Sequence, residues 1–175
     1  MPSNEKPQIA QRVSAWSYLY SPIGRLTLLA NSAGLTEIRF ANNSTPLPST
    51  RQPERGQGKA WLALASEQLN AYFDGRLQTF DLPLSLQGSD FQRRVWAQLQ
   101  QVAHGTTASY GQLASAIGQP TAARAVGMAN NKNPIPIVIP CHRIIGSKGS
   151  LTGFAGGLDA KRWLLAHEGV PLGDG

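Results

Sequence analysis

Short apolar runs separated by turn signals mark the first part of the chain. VSAWSYLY (13–20) joins β-branched to aromatic side chains and reads as a strand; SPIG turns the chain and RLTLLA (25–30) returns it. NSAG turns it again, and LTEIRF (35–40) completes a meander. Residues 41–58, ANNSTPLPSTRQPERGQG, are polar with Pro and Gly throughout and read as an exposed loop whose role the residues do not disclose. A helix follows, with Trp61, Leu64, Leu69 and Tyr72 near helical spacing and Gly75 where a C-terminal cap belongs. LQTFDLPL (77–84) reads as a further strand, so residues 1–88 make a small α/β domain.

The pattern then turns helical over 89–175. Ser89 and Gln92 have capping-box spacing, and Phe91, Val95, Leu99 and Val102 form one apolar stripe. Ser109 and Gln112 repeat the device before LASAIG, which Gly118 terminates, and Pro120 suits the first turn of another helix, PTAARAVGMANN. Two short helices across a Gly-containing turn are a helix-turn-helix pattern, and also that of an ordinary αα-corner. Ala122, Ala123, Ala125 and Gly127 leave the second helix almost without bulk beside one long side chain, Arg124. Close helix packing explains this, and so does a helix laid against a nucleic-acid groove with Arg124 inserted. GSLTGFAGG (149–157) reads as a loop and LDAKRWLLAHEG (158–169) as a last helix capped by Gly169.

Composition narrows the field. Of 175 residues 41% are hydrophobic and 15% charged, enough apolar material for real cores. The net charge of +6 is unevenly placed: Phe91 to Leu158 holds no Asp or Glu, but holds Arg93, Arg94, Arg124, Lys132, Arg143 and Lys148. A solvated basic face and a nucleic-acid footprint fit this equally. The segment MPSNEKPQIAQRVSAW lacks the apolar core of a signal peptide, and no apolar run approaches the ~20 residues of a membrane span. A soluble, intracellular (cytoplasmic) protein is expected.

One cysteine, Cys141, excludes an intramolecular disulfide and a cysteine-based zinc site. A lone cysteine is most often a small core hydrophobe. Here Pro134, Pro136 and Pro140 restrict the backbone before it, and positive local charge favours thiolate. His142 follows as a possible proton acceptor. Adjacent side chains seldom face each other, so His142 would act through a water or a turn, with an acid to hold its tautomer. Glu168, one of three acidic residues after Asp90, is a candidate on weak spacing grounds.

PCHRIIGSKGSLTGFAGGLDAKRWLLAHEG, preceded by SYGQLASAIGQPTAARAVGMANNKNPIPIVIPCHR, resembles the O6-alkylguanine-DNA alkyltransferases, the methylated-DNA–protein-cysteine methyltransferases. The resemblance is continuous from about Phe91 to Gly169 and looser over 1–88, where it implies an RNase H-like domain. It implies transfer of an alkyl group from O6 of guanine, and from O4-alkylthymine, onto the protein's own thiol, once per molecule. Cys141 would accept the alkyl group, His142 would be the base through a water, Glu168 would orient it, and Asn133 would brace the turn. Tyr110 would donate to the departing base, main-chain groups of Cys141 and Ile144 would read its edge, and the amide near Ala155 would approach O6. Family members often have Tyr-Ser or Tyr-Ala before the paired glycines; Phe154-Ala155 before Gly156 keeps a stacking ring and loses a hydroxyl.

A thiol cannot reach an alkyl group inside stacked duplex, so the nucleotide must be rotated out. By the resemblance this happens from the minor groove. Arg124 fills the vacated space, and Ala123, Ala125 and Gly127 lie against the sugar-phosphate walls. Double-stranded DNA is the implied partner; no metal or cofactor is expected. A monomer is expected in solution, with cooperative loading on DNA left open. A lesion-sensing module with a passive Cys141 is the alternative; a papain-like hydrolase is disfavoured because His104 and His167 lie in no such signature.

Overall fold

The computed structural model describes residues 13–48 and 56–173; the leader reading of the first residues and part of the 41–58 loop fall outside them. The chain divides into two compact units, Met1–Leu86 and Gln87–Gly175. In the first, β1 (Ala15–Ser21), β2 (Gly24–Ala30) and β3 (Leu35–Phe40) form the expected antiparallel meander in the order β1-β2-β3. Apolar residues face one another across the register. Leu19 pairs with Leu26, Leu26 with Phe40 and Leu28 with Ile38, and all are buried.

Helix α1 (Gln57–Phe73) covers this sheet, packing on β1 and β2. Its buried stripe is Leu62, Ala65, Leu69 and Tyr72, so the expected stripe is right in its second half and displaced in its first. Ala65 carries the inward position that Leu64 was expected to fill, and Trp61 instead reaches out to donate from Nε1 to the Ser32 carbonyl at 3.1 Å. Gly75, at φ 77°, ends the helix as expected. The helix begins inside the segment read as loop, at Gln57.

Residues 77–84 do not form the expected strand. Only Leu84 bridges to Leu35, through Leu35 N–H to the Pro83 carbonyl (2.9 Å) and Ser85 N–H to the Leu35 carbonyl (2.8 Å). Pro83 offers no N–H to a ladder. The Gln68 amide takes both backbone groups of Asp81, each at 2.8 Å, where a neighbouring strand would have bonded.

The second unit is mainly helical: α2 (Asp90–Leu99), α3 (Tyr110–Ala116), α4 (Ala123–Asn131) and α5 (Leu158–His167), with a two-stranded parallel ladder of β4 (Ala108–Ser109) and β5 (Ile144–Ile145). Both capping boxes form: Ser89 Oγ accepts from Gln92 N–H and Ser109 Oγ from Gln112 N–H, and each glutamine bonds back. Of the expected stripe Val95 and Leu99 are buried and Phe91 and Val102 half-buried; Trp96 joins them, its Nε1 donating to the Ala129 carbonyl at 2.9 Å and tying α2 to α4. Gly118, at φ 76°, closes α3.

Pro120 lies outside α4. Residues 119–122 make a turn closed by Ala122 N–H to the Gln119 carbonyl (2.9 Å), and its second position suits the fixed φ of proline. Helix α4 starts three residues later than read, without a side-chain cap. The helix-turn-helix arrangement of α3 and α4 nonetheless forms.

Candidate active site

Backbone geometry sets the thiol. Asn133, just past α4, accepts from Ile135 N–H through Oδ1 (3.0 Å) and donates from Nδ2 to the Ile139 carbonyl (2.7 Å). Ile139 N–H closes the same loop on the Ile135 carbonyl (2.9 Å). Between them Ile137 is held at φ 75°, fully buried, in a region that β-branched residues avoid at a cost of about 1–3 kcal/mol. Pro140 (φ −81°, ψ 64°) makes an inverse γ-turn, with Cys141 N–H on the Ile139 carbonyl at 2.8 Å. Cys141–Arg143 then form one 3-10 turn, so residues 133–140 deliver the cysteine in a fixed direction.

His142 and Glu168, 26 positions apart, meet in the interior. His142 Nε2 lies 2.7 Å from Glu168 Oε2, and both side chains are 0% exposed. Glu168 caps the end of α5. Its carboxylate also takes a two-pronged bond from Arg143, Nε to Oε1 at 2.7 Å and the second amino group to Oε2 at 3.1 Å. The remaining Arg143 amino group donates to the Val102 carbonyl at 2.6 Å, beyond the end of α2. Arg143 therefore does not belong to the basic surface with Lys132 and Lys148; it is a buried strut.

Protonation follows from burial. Burial holds the His142 imidazole below its ordinary 6.5, against the pull of the Glu168 carboxylate, so the ring is neutral at pH 7. With Nε2–H directed at Glu168, Nδ1 is the open acceptor, and it is buried without a hydrogen-bond partner. Burial also pushes the Cys141 thiol from an ordinary 9.0 up to about 11, outweighing the Asn133 hydrogen bond and the Lys161 charge that favour thiolate. The expectation that positive surroundings keep the cysteine ionised is thus corrected: desolvation wins, and the thiol rests protonated.

Lys161 on α5 is 0% exposed. Its ammonium donates to the carbonyls of Ile144 (2.6 Å) and Thr152 (3.2 Å) and acts electrostatically on Cys141. The Ile144 carbonyl therefore already holds a donor, and Ile144 is also engaged in the β4–β5 ladder opposite Ala108. Lys161, Arg143 and Thr152 were not singled out for the site. A lysine at a position reading as helix surface, an arginine reading as basic face and a threonine reading as loop carry no distinguishing sequence signal.

A cleft of about 600 Å³ opens beside the second helix of the pair, lined by Tyr110, Arg124, Gly127, Met128 and Thr152 among others. Ala123 lines it too; Ala125 does not and faces solvent. Tyr110 and Thr152 share a hydrogen bond of 2.5 Å between hydroxyls. Gly127 leaves the Tyr110 ring uncovered: a Cβ there would meet its edge at 3.6 Å. Met128, 70% exposed, is an apolar side chain on this face that the sequence reading passed over. Cys141, 6% exposed, is not part of the lining, nor are Ile144, Phe154, Ala155 and Gly156. Phe154 and Gly156 are half-buried and Ala155 exposed. Lys161 bonds the carbonyl of Thr152 in the cleft lining, and its charge acts on the Cys141 thiol. Among the described residues no cluster of three His, Cys, Asp or Glu side chains could hold a metal ion, and no helix is long and apolar enough to cross a membrane.

A helix-turn-helix beside a buried thiol–imidazole–carboxylate set defines a class of DNA-binding protein equipped for sulfur chemistry. The 6-O-methylguanine DNA methyltransferase DNA-binding domain matches residues 90–170, and the ribonuclease-like domain of the same family matches 15–86. The chain belongs to the 6-O-methylguanine DNA methyltransferase family. It is 52% identical over 148 residues to the methylated-DNA–protein-cysteine methyltransferase of Mycolicibacterium paratuberculosis (85% of this chain, 88% of that protein). It is 44% identical over 153 residues to that of Methanosarcina barkeri (87% and 96%). The crystal structure of Mycobacterium tuberculosis OGT in complex with DNA superposes with a TM-score of 0.80 at 46% identity, covering 88% of this chain and 92% of that one. The α/β-then-helical architecture, with a ribonuclease-like first domain, is therefore the family's own.

Proposed function

We propose that the protein repairs alkylated DNA by moving the alkyl group from O6 of guanine to Cys141, once and irreversibly. Family membership supports DNA binding and alkyl transfer, and the related M. tuberculosis protein was crystallised with DNA. The observation carrying the reading is the buried His142, bonded to Glu168 through Nε2 with Nδ1 open, directly following a lone thiol. The resting thiol would lose its proton only as it reacts, to Nδ1 through a water, while Glu168 stabilises the imidazolium. Sulfur then attacks the alkyl carbon, the carbon–O6 bond breaks, and its electron pair goes to the purine, whose ring nitrogen takes the Tyr110 proton. Lys161 supplies positive charge to the nascent thiolate. The product thioether has no easy leaving group, so each molecule turns over once.

The reacting base must leave the stack. The cleft between α4 and Tyr110 is where it would be received, with Arg124 filling the space in the duplex and the small residues of α4 allowing close approach. Phosphate contacts supply affinity independent of sequence. The same chemistry extends to O4-alkylthymine, which presents an equivalent exocyclic alkyl ether. Mass spectrometry tests the reading. Duplex containing O6-methylguanine adds one methyl group, on the Cys141 peptide, and Cys141→Ser adds none while still binding DNA. An unmodified Cys141 despite tight binding makes the protein a sensor. Arg124→Ala loses transfer from duplex and keeps transfer from free O6-benzylguanine; equal losses exclude the flipping role.

A further inference from the structure

The cleft contains a second hydroxyl that the alkyl-transfer chemistry has not used. Thr152 sits in the irregular segment 149–157, where no helix or strand holds it. Two contacts do: its carbonyl accepts from the fully buried Lys161 ammonium at 3.2 Å, and its Oγ1 lies 2.5 Å from the Tyr110 hydroxyl. Tyr110 and Thr152 both line the cleft. We propose that Thr152 is a positioning residue for departure of the base, holding the Tyr110 hydroxyl in place and supporting its oxygen as the phenolic proton passes to the purine. This rests on Tyr110 being the donor to the leaving base.

The argument is one of hydrogen-bond supply. A threonine hydroxyl has one rotatable donor and two acceptor sites, and a phenol has one donor. When the Tyr110 proton is directed into the cleft, the Thr152 proton is free to turn onto the Tyr110 oxygen. That gives a chain from Thr152 to Tyr110 to the purine nitrogen, in which each bond strengthens the next. During transfer the sulfur–carbon bond forms, the carbon–O6 bond breaks, and the electron pair moves into the purine. The phenolic proton neutralises that pair, and negative charge appears on the Tyr110 oxygen, where Thr152 donates. The thiol proton held by His142 later restores Tyr110 through solvent, so protons balance over the turnover. Lys161 makes the geometry fixed: one ammonium serves the Cys141 thiolate and anchors Thr152, setting the two ends of the reaction relative to each other.

Single-turnover transfer from O6-benzylguanine, read by mass spectrometry across substrate concentrations, separates binding from the chemical step. Thr152→Val, which keeps shape and removes the hydroxyl, is expected to slow the chemical step about five- to tenfold with apparent binding unchanged. Thr152→Ser is expected within about twofold of wild type, because it keeps the hydroxyl. Thr152→Val is expected to add nothing in a Tyr110→Phe background. The loss also shrinks with an O6-benzylpurine bearing an electron-withdrawing ring substituent, whose anion needs less help in leaving. Wild-type rates in Thr152→Val, an undiminished effect in Tyr110→Phe, or slowing by Thr152→Ser equal to that by Thr152→Val would overturn the proposal. Tyr110→Phe at the wild-type rate removes the Tyr110 donor itself and Thr152's role with it. A slow Tyr110→Phe beside a fast Thr152→Val removes Thr152 alone.

Discussion

The described residues up to 86 bury apolar side chains with Thr27 and Asn31, whereas those from 87 onward bury Asn130, His142, Arg143, Lys161 and Glu168. Asn31 closes on its own turn, accepting from Ala33 and Gly34 N–H and donating to Ser85 Oγ at 2.9 Å, so it is a structural pin. The second unit's buried polar groups instead include charges that water would hold better: Arg143 and Glu168 hold each other, and backbone carbonyls hold Lys161. The first unit has one requirement, to exclude water from a sheet and a helix. The second also holds an imidazole neutral, a thiol protonated and a carboxylate among His142, Arg143 and the Gly105 N–H. Its sequence accepts the desolvation of charged groups, whereas the first unit buries only neutral polar atoms such as Trp16 Nε1 and Thr36 Oγ1 among its described residues.

Removing one member of the buried set should separate the two regimes most sharply. Glu168→Ala leaves Arg143 and His142 buried without their acid and is expected to cost about 3–5 kcal/mol in urea unfolding, with transfer lost. In the sheet, Leu28→Ala opens a cavity at a comparable cost of about 2–5 kcal/mol. The repair of the two defects differs. Arg143→Met combined with Glu168→Met should recover much of the stability, because the stranded charge is gone, while transfer stays lost. A double variant no more stable than Glu168→Ala would mean the site is held by packing, as the sheet is.

pH sharpens the contrast next. The folded His142 binds its proton less readily than the unfolded residue, so its contribution is complete above about 6.5 and is lost as pH falls below that value. The Cys141 thiol shifts the other way, raised to about 11. Its contribution is complete below about 9 and is lost as pH climbs from there through about 11. Wild-type stability should therefore decline from pH 6.5 to 5, and His142→Gln should flatten that decline. The first unit has no buried histidine, carboxylate or cation among its described residues to add to it. Transfer should follow the same logic. Its rate stays level between pH 7 and 9, because the proton leaves during attack; a tenfold rise per pH unit, as for a pre-ionised thiolate, would refute the coupled step.

Legibility divides along the same line. The meander, both capping boxes, the α3–α4 pair and the glycine stops rest on local chemistry, and each is readable from a few adjacent residues. Lys161 and Arg143 look like solvated surface in the sequence, since nothing local shows that Ile144, Thr152, Val102 and Glu168 converge on them. The left-handed Ile137 has no signal at all, because its type argues against that conformation and the loop bonds of Asn133 and Ile139 hold it there. The 77–84 segment differs for a related reason: the Gln68 side chain takes the backbone groups of Asp81, and only the 83–85 stretch bonds to β3. Cys141 and His142 stand out in the residues themselves and Glu168 only on weak spacing grounds; the resemblance supplies their roles, and the contact of His142 with Glu168 is long-range.

The smallest expected effect tests the cleft instead of the relay. Gly127 lies inside α4, where alanine is worth about 0.5–1 kcal/mol more than glycine. A Cβ there would stand 3.6 Å and 3.7 Å from two Tyr110 ring carbons, ordinary contact distances, so nothing in the fold opposes it. Gly127→Ala should therefore raise the urea midpoint. The added methyl also occupies the cleft floor where a base would lie against Tyr110, and one methyl group in a fitted site changes discrimination by about tenfold or more. In this open cleft the expected slowing of duplex transfer is below about tenfold, greater for benzyl than for methyl lesions. A variant both more stable and equally fast on every lesion would show that glycine serves only α4 packing. A more stable, slower one shows helix stability given up for room beside Tyr110, a concession with no counterpart in the sheet of the first unit.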